Sequence, residues 1–135
     1  MNEDRLKHSY SVGKKMVEIG KENNFSNEEL EDLFVLGLVH DIGYEFDNSG
    51  KDHNKLGGEV LKRNNYKYYK EVYYHGIKQD EFESDYLKIL NQADMQIDKF
   101  GNDCGYEERL NDIKSRYGED SIVYKRCIEL IESVR

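Results

Sequence analysis

Proline is absent from all 135 residues, and apolar side chains recur at helical spacing almost from end to end. Without proline, every helix break must come from glycine, asparagine or aspartate. The spacing predicts a first helix over about residues 3–23, with Leu6, Val12, Met16, Val17 and Ile19 as its apolar stripe. Ser26 followed by Glu29 reads as a capping box that opens a second helix. The buried face of that helix is Leu30, Leu33, Phe34, Gly37 and Leu38. It delivers His40 and Asp41 near its end, where Gly43 is expected to break it. Asp47-Asn48-Ser49-Gly50 reads as a loop.

Asp52 is expected to cap a third helix carrying His53, Leu56, Val60 and Leu61. A tyrosine-rich fourth spans about residues 66–78 and contains His75. After the acidic stretch at 80–85, Ser84 caps a fifth helix. Leu87, Leu90, Asp94 and Ile97 share one face of it, and Gly101 and Gly105 end it. Two more helices follow, over about 106–117 and 121–134. No alternating strand pattern of useful length appears. The expectation is an all-α fold of about six to seven helices, a single compact domain over residues 1–135.

Composition narrows what such a domain can do. Although 36% of residues are charged, 37% are hydrophobic and regularly placed, which indicates a folded chain. A formal net charge of -8 argues against nucleic acid as a partner, because phosphate backbones are gripped by basic surfaces. It also disfavours an anionic small substrate unless local cations reverse the field. No apolar run is long enough for a membrane span, and the start Met1-Asn2-Glu3-Asp4 lacks the basic character of a signal peptide. A cytoplasmic protein with no membrane partner is expected. Cys104 and Cys127 match no zinc or redox spacing and read as packing residues.

The residues that invite chemistry are histidines and aspartates. A His-Asp dipeptide alone is a weak motif. Here His40-Asp41 ends a strongly apolar helix, where an ionisable pair is costly unless paired or coordinated. Asp94, between Ala93 and Met95 on an apolar face, has the same difficulty. A cation shared between them would resolve both. Imidazole and carboxylate together suit a divalent first-row metal: Fe, Mn, Co, Ni or Zn.

In order and helical placement, His8, His40-Asp41-Ile42-Gly43 and Asp94 resemble the H…HD…D signature of the HD-domain metal-dependent phosphohydrolases. His53, in His53-Asn54-Lys55-Leu56-Gly57-Gly58, and His75, in Tyr74-His75-Gly76, resemble the two further histidines of the binuclear members. The likeness covers about residues 5–100 and takes in all four histidines. It implies a first metal held by His8, His40, Asp41 and Asp94, and a second held by His53 and His75 with Asp41 bridging. His40 and Asp41 would be the catalytic residues, and a metal-activated water would attack a nucleotide or another small phosphorylated metabolite.

Many members carry a lysine three residues after the aspartate, where this chain has Tyr44. Lys51 and Lys55 are therefore the expected phosphate contacts. Asp98 is expected to be exposed or to support a ligand, with an acid–base role as the alternative. The cluster Tyr66, Tyr68, Tyr69, Tyr73 and Tyr74 reads as packing, or as a base-stacking surface. Two other functions fit the same residues: a di-iron oxygenase of the HD type, and a non-catalytic HD module that binds metal or ligand.

Overall fold

The computed structural model describes residues 2–46 and 52–135, and it realises the helical spacing as seven α-helices among those residues. These are α1 (Glu3–Glu22), α2 (Asn27–Val39), α3 (His53–Arg63), α4 (Tyr69–Tyr74), α5 (Asp85–Asp94), α6 (Gly105–Tyr117) and α7 (Ile122–Val134). A 3₁₀ turn, Ile42–Glu45, follows α2, and the loop expected at Asp47-Asn48-Ser49-Gly50 lies outside the described residues. The all-α expectation holds. The sole pairing of extended backbone in the described residues is an isolated bridge between Ile97 and Asp103.

Local capping accounts for most helix starts. Asn2 accepts from the Arg5 amide, Ser26 and Glu29 form the reciprocal capping box, and Ser84 and Ser121 cap α5 and α7. Asp52 does precede α3, but in left-handed geometry and with no side-chain cap bond. Three boundaries differ from expectation. Helix α2 stops at Val39, with His40 as its C-cap, so Gly43 lies inside the 3₁₀ turn and does not end the helix. Helix α4 is shorter than predicted because His75 turns extended and Gly76 adopts φ +87°, which halts the spiral. Helix α5 ends at Asp94, and a folded loop follows. In it the Asp98 carboxylate accepts from the Phe100 and Asn102 amides, each at 2.9 Å.

The main core gathers Val12 and Met16 of α1, Leu33 and Leu36 of α2, Leu61 of α3, Val72 of α4 and Leu90 of α5. A second cluster, Met95 with Leu130, Ile131 and Val134, seats α7 against the end of α5. Two glycines set how closely the site-bearing elements approach. A Cβ on Gly37 would strike the Gly13 backbone, so α1 and α2 cross in direct main-chain contact. A Cβ on Gly43 would strike the His53 carbonyl, so the 3₁₀ turn lies against the start of α3. The first crossing brings His8 to His40, and the second brings His53 to Asp41.

Candidate metal centre

Five of the side chains singled out from sequence are buried together: His8, His40, Asp41, His75 and Asp94. His53 joins them half-buried, at the rim. Each comes from a different part of the chain: α1, the α2 C-cap, the residue after it, the α4 C-cap, the last residue of α5 and the first residue of α3.

Three histidines are oriented in the same way. His8 Nδ1 lies 2.9 Å from the Asp98 carbonyl, His40 Nδ1 2.7 Å from the Gly37 carbonyl, and His75 Nδ1 2.6 Å from the Val72 carbonyl. A carbonyl only accepts, so each Nδ1 carries the proton and donates it. That leaves each Nε2 directed inward, the arrangement that orients imidazoles at metal sites. The Asp98 backbone, not its carboxylate, supplies the His8 partner. Further bonds hold the rim: the Asn54 side chain donates to the Tyr73 and His75 carbonyls at 3.2 and 3.3 Å. The Gly76 amide donates to Asn91 of α5 at 2.9 Å.

The Nε2 atoms face carboxylate oxygens. His8 Nε2 is 2.9 Å from Asp94 Oδ1 and 3.7 Å from Asp41 Oδ2. His40 Nε2 is 3.2 Å from Asp41 Oδ2 and 3.5 Å from Asp94 Oδ1. The other oxygen, Asp41 Oδ1, faces His53 Nε2 at 3.2 Å and His75 Nε2 at 3.5 Å. Asp41 thus divides its two oxygens between two groups of imidazoles.

This geometry tests whether a cation fits. A neutral imidazole protonated at Nδ1 presents a lone pair at Nε2, and a lone pair facing a carboxylate is repulsive unless a proton or cation lies between. His40 Nε2 is fully buried, and despite its nearness to Asp41 it has no hydrogen-bond partner among the described residues. Within each of three triads, His8-His40-Asp41, His40-His75-Asp94 and Asp41-His53-His75, the nitrogen and oxygen donors lie within 4.8 Å of one another and could hold a metal ion. The donor set fits a divalent metal.

Without a metal, protons take up this charge. Burial alone would push the His40 imidazole down, but the Asp41 and Asp94 carboxylates overcome it and hold its pKa well above the usual 6.5. Burial would raise both carboxyls, yet they lie well below 3.8. His40 is the main counter-charge for Asp41, and His40 with His8 for Asp94.

Tyr44, at the position where many HD proteins have lysine, stacks on His53 with centroids 4.4 Å apart, and the Arg5 guanidinium sits 3.9 Å above its ring. Burial pushes the Tyr44 phenol up to about 12, so it stays protonated. A cavity of about 380 Å³ opens beside His8, Asp41 and Tyr44. The cations on its wall, Arg5, Lys99, Arg109 and Arg116, were not candidates from sequence. Arg109 and Arg116 flank the apolar face of α6 formed by Tyr106, Leu110 and Ile113, which is the one local signal that could have drawn attention to them. Lys55 stands exposed on α3 and does not line this cavity. Lys51 lies outside the described residues. The tyrosines expected to pack do so in part: Tyr66, Tyr68 and Tyr69 lie against the main core.

No curated protein and no solved structure matches this chain significantly. The sequence profile of the HD domain matches residues 5–133, nearly the whole chain. With its histidines and aspartates brought to one buried centre, the chain belongs to the HD-domain family, a superfamily of the metal-dependent hydrolase type.

Proposed function

We propose that the protein is a metal-dependent phosphohydrolase acting on a nucleotide or another small phosphorylated metabolite. The observation that carries this reading is the divided Asp41 carboxylate, Oδ2 toward His8 and His40 and Oδ1 toward His53 and His75. A carboxylate placed in this way could bridge two ions, an arrangement suited to two-ion catalysis of in-line displacement. In this reading His8, His40, Asp41 and Asp94 would hold one divalent ion, and Asp41, His53 and His75 would hold a second. When bound, the ions lower the pKa of a water and neutralise charge on the phosphoryl oxygens.

The chain's own residues have separate tasks. The carbonyls of Gly37, Val72 and Asp98 fix the tautomers of His40, His75 and His8, so their Nε2 atoms are ready to ligate. His40 is wholly buried and would act by ligation, whereas His53 stands half-buried at the rim of the centre. Tyr44 keeps His53 in place by stacking, and its protonated hydroxyl is a donor. Arg5, Lys99, Arg109 and Arg116 on the cavity wall outnumber the carboxylates of Asp4 and Asp41 there, which would favour an anion at this point of an otherwise acidic molecule.

Freshly purified protein is expected to carry a first-row metal and to release inorganic phosphate from at least one of a panel of nucleotides and phosphomonoesters. Metal-replete protein that releases none would overturn the reading. A di-iron oxygenase would use the same ligands, but the cationic cavity favours a phosphorylated substrate. Turnover that persists without oxygen separates the two.

A further inference from the structure

We propose that Arg109 of α6, with Arg116 about two helical turns further on, is the phosphate-recognition site of this protein. The inference rests on the phosphohydrolase reading for its substrate class, but its observations are separate from the metal ligands.

Arg109 Nε and Nη1 are buried and have no hydrogen-bond partner among the described residues. The nearest carboxylate to Nη1 is Asp112 Oδ2 at 3.9 Å, too far for a hydrogen bond. That same oxygen is already engaged by Arg116 at 2.8 Å. A guanidinium never loses its charge at ordinary pH, and it binds phosphate through several donors in a fixed plane. Buried donors without acceptors cost free energy in the absence of a ligand, so their retention needs an explanation. The wall they share supplies one: Arg109 and Arg116 line the same cavity of about 380 Å³ as His8, Asp41 and Tyr44. A phosphoryl group in that cavity would have the Asp41 side of the centre, where bound cations would offset its charge, on one side and the Arg109 guanidinium on the other. Arg5, held over the Tyr44 ring, and Lys99 add charge at the same wall.

The test uses the full-length protein and inorganic phosphate as probe, followed by calorimetric titration, with metal content measured on each sample. Arg109→Gln is expected to weaken phosphate binding by about tenfold or more. Arg109→Lys, which keeps the charge but loses the planar fork, should recover only part of it. Metal content should be unchanged in both. Arg63→Gln, on the exposed end of α3 away from this cavity, should bind phosphate as the parent does. Equal phosphate affinity in Arg109→Gln and the parent would overturn the proposal, as would an equal loss in Arg63→Gln. Parent protein that binds no metal but still loses phosphate affinity on Arg109→Gln would refute the two-ion reading and leave this site standing.

Discussion

The two nitrogens of each buried histidine do different work here. Nδ1 of His8, His40 and His75 is tied to a backbone carbonyl, so ring orientation is inherited from the helix geometry around it. Nε2 is left for the centre, and Asp41 distributes its oxygens among the Nε2 atoms. Replacing His53 and His75 together with alanine should lower metal content from about two ions per chain to about one, and reduce turnover by about 10²-fold or more. Replacing Asp41 with alanine should disturb both ions at once. Elemental analysis of the purified variants checks both. A double histidine variant that keeps its full metal content, and loses only substrate affinity, would make those residues part of the substrate pocket instead.

Elements are placed by a few close contacts, and these are where substitution should be felt. Gly37 and Gly13 let α1 and α2 touch, and His8 and His40 depend on that crossing. Gly37→Val should destabilise the fold by about 1–3 kcal/mol through overpacking, and should also loosen metal retention. A denaturant midpoint and a metal titration read the two effects; a variant that keeps both would show that the crossing does not position the ligands. Ser84 joins two elements by another route. Its hydroxyl accepts from the Leu87 amide at 3.0 Å to cap α5, and donates to buried Glu71 of α4 at 2.8 Å. Ser84→Ala removes the cap and strands a buried carboxyl, for an expected cost of about 1–3 kcal/mol in chemical denaturation.

At the scale of the whole molecule, charge in the centre links stability to pH and to metal. In chelator-treated protein the raised pKa of His40 contributes stability that is full below 6.5 and is lost as pH rises through its folded value. The lowered Asp41 and Asp94 contribute stability present above 3.8 and lost as pH falls through theirs. The metal-free protein should therefore be most stable between these limits and weaken on the alkaline side. Metal must displace the protons shared between imidazole and carboxylate, so its affinity rises with pH. Chelation should lower the melting temperature by several degrees, and by more at about pH 8 than at about pH 6. Thermal melts with and without chelator at the two pH values check this; a wider gap at the acidic value would contradict it. No helix among the described residues is long and apolar enough to cross a membrane.

What the sequence by itself determined is what depends on neighbours within a few residues. Ser26 with Glu29, and Ser84 before α5, start helices through bonds that span three positions, so they are readable without knowing the fold. The order of His8, His40-Asp41 and Asp94, read as a family resemblance, pointed to side chains that the fold does bring to one buried centre. Tertiary structure decided the rest. Helix α4 stops at His75, where Gly76 turns to φ +87° and its amide is held by Asn91, fifteen residues later and on another helix. Asp98 matters to His8 through its carbonyl, which every residue possesses and no sequence pattern singles out. Arg109 lines the same cavity as His8 only because α6 packs on α7 in the cluster around Met95. Long-range contacts of this kind follow from how helix faces pack, and packing depends on the shape of every face at once.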